Sequence, residues 1–208
     1  MNREHLTFTG PDGVELAATI DLPDGAPRGW VLFGHCYTCG RKSPAAARIC
    51  KRLVEHGYAT FRFDFTGVGD SEGAAPPYPL DGNTADLRAA AAFLAETGRA
   101  PSLLVGHSLG GAAAIQAAPD IDSLKAVVAI GAPKVARVET RLPLLVLHTP
   151  TDQVVGIMNA VDNFAQARFP KALVSLDGVD HLLTADGAAA HAADVISTWA
   201  EPYLHGNM

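Results

Sequence analysis

Hydrophobic and polar positions change their period repeatedly along the chain. Near the start, His5 to Thr9 and Val14 to Asp21 flank Pro11-Asp12-Gly13, the pattern of a β-hairpin. Short, nearly unbroken apolar runs follow: Trp30 to Phe33, Ala59 to Phe63, Leu103 to Val105, Ala126 to Ile130, Leu144 to Leu147 and Ala172 to Leu176. Most lack polar alternation, as expected of strands covered on both faces. Helical spacing lies between them. Ser43 before Pro44 suits an N-cap with proline in the first turn, and Gly57 suits the residue past the end, so a helix is predicted from Pro44 to His56. Leu87, Ala90, Ala91 and Leu94 form a second stripe closed by Gly98, and Ala192, Val195, Ile196 and Trp199 form the clearest one. Strands alternating with helices predict an α/β architecture, a mostly parallel twisted sheet of about eight strands with helices on both faces.

Bulk properties narrow the function. The 208 residues, 48% hydrophobic and 18% charged, are enough for one well-filled core, and residues 1–208 read as a single domain. Gly73 to Pro79 is a short proline- and alanine-rich loop between a strand and a helix, not a linker. Sixteen basic against twenty-two acidic residues give a net charge of -6, which disfavours nucleic acid and anionic lipid as partners. Neither a secretory signal nor a membrane span is legible, and three cysteines are too few for a disulfide framework. These features point to the reducing cytoplasm, with the thiols packing their loop.

The chemistry concentrates at Leu103-Leu104-Val105 followed by Gly106-His107-Ser108-Leu109-Gly110-Gly111 and an alanine-rich helical stretch. Strand, tight turn and helix form the context in which G-x-S-x-G marks a nucleophile elbow: the glycines leave room for a strained serine, and the next amide starts a helix. Ser108 is the predicted nucleophile and the Leu109 amide a predicted oxyanion donor. The elbow lacks the Lys-Ser/Thr ending of a phosphate-binding P-loop. A serine hydroxyl needs an imidazole to take its proton and a carboxylate to orient that imidazole. Asp152, just beyond the Leu144 to Leu147 strand, and His181, beyond the Ala172 to Leu176 strand, satisfy the chain order of this fold. The competing assignments are a helix cap near Gly156 for Asp152 and a solvated loop residue for His181. Asp177 and Asp180 sit on the wrong strand to be the acid. His191 lies inside the final helix, His205 lies beyond it, and His107 is given a packing role.

The second oxyanion donor is expected from Gly34-His35-Cys36-Tyr37-Thr38-Cys39-Gly40, with Cys36 at the place where glycine is common in the fold and the Tyr37 amide as donor. The tyrosine ring is placed to wall the acyl pocket. Cys36 and Cys39 admit three readings: packing residues, a redox pair, or half a zinc site. Zinc would need four ligands, and the chain offers no second close pair. Oxidation of the pair is expected to distort the loop.

Taken together, the sequence resembles the α/β hydrolases found alone or fused ahead of an OsmC-like domain. The matching stretches are His35 to Cys39, Phe61 to Gly73, Gly106 to Gly111, Ile130 to Pro133 and Ser175 to Leu183. The resemblance implies an α/β-hydrolase fold and a Ser108, Asp152, His181 triad with the Tyr37 and Leu109 amides as oxyanion hole. No OsmC-like domain is expected after His181. The short stretch from Pro133 to Leu142 leaves no room for the cap that such proteins tend to carry. The expected activity is hydrolysis of short or medium acyl esters or thioesters through an acyl-enzyme, without metal or cofactor. A peptidase, amidase or acyltransferase using the same triad, and a non-catalytic thiol sensor on the same scaffold, are the alternatives.

Overall fold

A computed structural model describes residues 1–37, 39–75 and 79–204. Strands β1 (Asn2–Thr9) and β2 (Glu15–Leu22) form the N-terminal hairpin, in register from Asn2 opposite Leu22 to Thr9 opposite Glu15. Its turn uses Asp12 at φ 58° and Gly13 at φ 78°, the left-handed backbone that a tight reversal needs. The remaining strands are β3 (Trp30–Gly34), β4 (Ala59–Phe63), β5 (Leu103–His107), β6 (Ala126–Ile130), β7 (Leu144–His148) and β8 (Lys171–Ser175). They join the hairpin in one eight-stranded sheet, ordered β1-β2-β4-β3-β5-β6-β7-β8 and parallel from β4 onward.

Among the described residues, four α-helices connect strands, α1 (Pro44–Glu55), α2 (Pro79–Glu96), α3 (Leu109–Ala117) and α4 (Met158–Gln166), and a fifth, α5 (Ala188–Leu204), follows β8. Ser43 caps α1 by accepting from the Ala46 amide, Pro44 occupies its first turn, and Gly57 at φ 89° follows its end. The strands bury both faces because alternate side chains serve different helices. Val31, Phe33, Val105, Val128 and Leu145 pack with Ile49 and Leu53 of α1 and Ala192 and Ile196 of α5. Leu32, Leu104, Val127 and Val146 pack on the other side with Leu87 of α2, Ile115 of α3 and Ala160 of α4. Each of the larger of these side chains contributes roughly 1.5–3 kcal/mol on leaving water, which explains why continuous apolar runs, not alternating ones, encode these strands.

The chain leaves β3 for β4 on one side and returns to β5 on the other. Loops after β3 and β5 therefore diverge, opening a crevice at the carboxyl ends of these neighbouring strands. No cap domain covers it: β6 is joined to β7 by residues 131–143 without a helix. Among the described residues, no helix is long and apolar enough to cross a membrane.

Candidate active site

Ser108 sits between β5 and α3 at φ 56° and ψ -123°, a strained conformation for a residue with a side chain. The flanking glycines make it possible. A Cβ on Gly106 would enter the Gly110 carbonyl, and one on Gly110 would enter the His35 and Gly34 carbonyls. The elbow and the loop after β3 are thus in backbone contact. The Ser108 amide donates to the Ile130 carbonyl at 2.7 Å, which ties the turn to β6.

Three residues predicted from three different loops meet here. His181 Nε2 lies 2.9 Å from Ser108 Oγ, and His181 Nδ1 lies 2.7 Å from Asp152 Oδ2. A carboxylate only accepts, so Nδ1 carries the proton and Nε2 presents its lone pair to the serine hydroxyl. All three side chains are buried. Asp152 Oδ1 accepts from the Val154 and Val155 amides, each at 2.8 Å. Burial alone would raise its pKa, but the Val155 amide, the His181 ring and the Val154 amide outweigh burial and hold the carboxyl below its ordinary range. Asp152 does not cap α4, which begins at Met158.

Other buried groups brace these loops, and sequence reasoning missed them. His107 does more than pack: its Nε2 donates to the His181 carbonyl at 2.8 Å, and the two rings lie 5.4 Å apart. Burial holds His107 down at about 4, so it is neutral near pH 7. His148, at the end of β7, donates from Nε2 to the Val155 carbonyl at 2.7 Å and lies 3.5 Å from Asp152 Oδ2. Thr149 donates to the Val179 carbonyl at 2.8 Å, joining the acid loop to the base loop. Leu183 adopts φ 53° with its side chain buried, and Asp180 accepts from the Thr184 amide and hydroxyl, which closes the turn after His181. The only available signal was position, since each follows or ends a strand at the functional edge.

Gly34 pairs with Gly106, so Tyr37 and Leu109 each lie three positions beyond that matched pair. Leu109 is the first residue of α3, where an amide has no intrahelical acceptor. Tyr37, Val154, beside Asp152, and Leu182, beside His181, are 57%, 70% and 46% exposed. Thr38, Pro76, Pro77, Tyr78 and His205 lie outside the described residues.

Of the three readings of the cysteine pair, the one with two free packing thiols needs correction. Cys36 and Cys39 form a disulfide, with Cα atoms 5.4 Å apart. That separation falls in the ordinary disulfide range, and the Cys39 amide donates to the Cys36 carbonyl at 3.2 Å, so a tight turn brings the sulfurs together. In this bonded form the Ser108, His181 and Asp152 hydrogen bonds are intact. Arg41, next along, donates to Asp64 and Asp70, anchoring the loop to the segment after β4.

Comparison with known proteins identifies the fold and the family. The model of the Hydrolase_4 family, described as serine aminopeptidase, S33, matches residues 25–138, a span that includes the elbow. The esterase domain of a Rhodothermus marinus protein is 37% identical, with a TM-score of 0.84 over 98% of this chain and 100% of that one. XC6422 of Xanthomonas campestris, an α/β serine hydrolase without a lid, shares the fold at 21% identity and a TM-score of 0.85, over 99% of this chain and 96% of that one. The mitochondrial palmitoyl-protein thioesterase ABHD10 of Pongo abelii is 32% identical over 123 residues, covering 59% of this chain. That match spans about a third, 33%, of the relative's length.

Proposed function

The chain belongs to the Hydrolase_4 (serine aminopeptidase, S33) family of serine hydrolases, and from that premise we propose that it cleaves carboxylic esters or thioesters through an acyl-enzyme. The observation that carries this reading is the unbroken relay from Ser108 Oγ through His181 to Asp152. Ser108 attacks the acyl carbon while His181 Nε2 takes its proton. Asp152 keeps the proton on Nδ1 and stabilises the imidazolium. The Tyr37 and Leu109 amides hold the developing oxyanion. His181 then gives its proton to the leaving alcohol or thiol, and water, activated by the same imidazole, releases the acid.

The names of two relatives, an esterase domain and a palmitoyl-protein thioesterase, favour ester and thioester bonds. The uncapped crevice with its exposed apolar rim suits short or medium acyl groups. The family's description keeps amide cleavage as a second reading, to be separated by product analysis on amide substrates. We read residues 1–208 as one hydrolase domain, similar to those found alone or fused to OsmC-like partners. A cytoplasmic site of action would make the Cys36–Cys39 bond a transient, redox-linked one.

The test is labelling by a fluorophosphonate probe together with p-nitrophenyl esters graded by acyl length. Wild type should label and favour short chains, and Ser108→Ala should lose both labelling and turnover. Labelling that survives Ser108→Ala, or a wild type that neither labels nor turns over, would overturn the reading.

A further inference from the structure

His35 directly follows β3, and its ring is buried against Phe65 with centroids 4.5 Å apart. The Phe65 amide points at Nε2 from 3.1 Å. An amide only donates, so Nε2 holds a lone pair and the ring proton sits on Nδ1. Nδ1 lies 2.6 Å from the Cys36 carbonyl oxygen, an obligate acceptor. Both bonds thus demand the same neutral tautomer. The Gly40 amide also lies 3.3 Å from Nδ1, but a protonated nitrogen has no lone pair to offer it. Among the described residues the one cis bond is Phe169-Pro170, so the peptide joining Cys36 to Tyr37 is trans.

In a trans peptide the C=O and N–H point in opposite directions across one rigid plane. Fixing the direction of the Cys36 carbonyl therefore fixes that of the Tyr37 N–H. We propose that His35 is a positioning residue, which clamps the Cys36 carbonyl and so aims the Tyr37 amide at the oxyanion. This inference rests on the serine-hydrolase reading and deepens it. The clamp lies behind the donor, on the side away from substrate, and acts through the peptide plane without touching the reacting atoms. It is anchored in turn to the start of the segment after β4 through Phe65, so the ring sets the loop's orientation against a rigid strand end.

Two substitutions divide the ring's functions. His35→Asn places an amide N–H near the Nδ1 position and keeps the donor to Cys36. His35→Gln places its amide near Nε2, keeps an acceptor for Phe65 and loses the clamp. Loss of a whole oxyanion donor costs about 10²–10³-fold in kcat, so a misaimed donor in His35→Gln should cost about 10–10²-fold, with KM little changed. His35→Asn should stay within about fivefold of wild type, although each variant loses one hydrogen bond and should lose similar thermal stability. A trifluoromethyl ketone that forms a hemiketal with the serine should weaken in parallel with kcat. Equal kcat losses in the two variants, or a greater loss in His35→Asn, would overturn the clamp. Nitrogen-15 NMR of the wild-type ring supplies a measurement independent of either variant's folding: a proton on Nδ1 is expected, and a proton on Nε2 overturns the proposal. A wild type inert to fluorophosphonate would remove the hydrolase reading itself, whereas an active, Ser108-dependent enzyme with equal variants would remove the clamp alone.

Discussion

Replacing Asp152 by asparagine tests whether the carboxylate sets the tautomer of His181. The two carboxylate oxygens have separate partners: Oδ1 accepts from the Val154 and Val155 amides, and Oδ2 accepts from His181 Nδ1. An asparagine has one acceptor oxygen to offer. Placing its NH₂ at the Oδ1 position would leave two amides unpaired, at about 1–3 kcal/mol each. The oxygen should therefore stay at the Oδ1 position and the NH₂ should face His181. Two N–H groups cannot share that contact, so the imidazole must move its proton to Nε2, where it can no longer take one from Ser108. In the serine-protease precedent the same change lowers kcat about 10⁴-fold, or about 5 kcal/mol of transition-state stabilisation. Turnover of p-nitrophenyl acetate should fall by that order with KM nearly constant. Nitrogen-15 NMR should show the His181 proton on Nε2, and thermal unfolding should shift little because all three hydrogen bonds are retained. An Asp152→Asn enzyme within about tenfold of wild type, while Ser108→Ala is inactive, would refute the assignment.

Stability should fall on acidification even before carboxylates titrate. His107 is held at about 4 in the folded chain, below the ordinary 6.5, so between these values the unfolded chain binds a proton that the folded chain does not. The folded state should lose about 3 kcal/mol from this group on going from pH 6.5 to below 4. His35, lowered by burial against the opposing pull of the Cys36 carbonyl and Asp64, acts in the same direction. Asp152 works in a separate window, its contribution being lost below about pH 4 as pH falls through its lowered pKa. Urea midpoints at pH 7 and pH 4.5 should diverge for wild type and diverge less in His107→Phe; a wild type equally stable at both would contradict this. Reducing Cys36–Cys39 with a dithiol should lower kcat several-fold and cost about 2 kcal/mol in the chain-entropy view of so short a loop. Cys50 is buried, with its thiol pushed up to about 12, so native thiol titration reports that pair alone. Unchanged esterase rates with both thiols counted as free would exclude a role for the bond.

Local rules carried most of the sequence reading. The apolar runs located the strands to within a residue or two because both sheet faces are covered, and Ser43-Pro44 and Gly57 bounded α1 through backbone preferences that need no neighbours. The site was legible because the elbow depends on glycines and because strand ends converge on one edge. What escaped was set by contacts between distant segments. His107 was legible as a packed residue, but nothing local reveals that it reaches the His181 carbonyl. His148 looked like the end of a strand, and its bond to the Val155 carbonyl depends on how the acid loop doubles back. For the cysteine pair a redox role stayed one of three readings, because composition speaks to a disulfide framework, whereas this bond depends on one turn.

At the crevice, main chain and side chain are assigned to different tasks. Val154 supports Asp152 through its amide while the residue is 70% exposed, and Tyr37 contributes its amide in the proposed chemistry while the residue is 57% exposed. Leu182, beside His181, also turns an apolar group outward. Substitution at these three positions would change what the mouth touches and leave every backbone hydrogen bond described around the relay formally available. The acceptance of new acyl groups can therefore drift by single changes at the rim, with the chemistry inherited intact. Selection for a new substrate and selection for a working catalyst fall on separate atoms of the same residues.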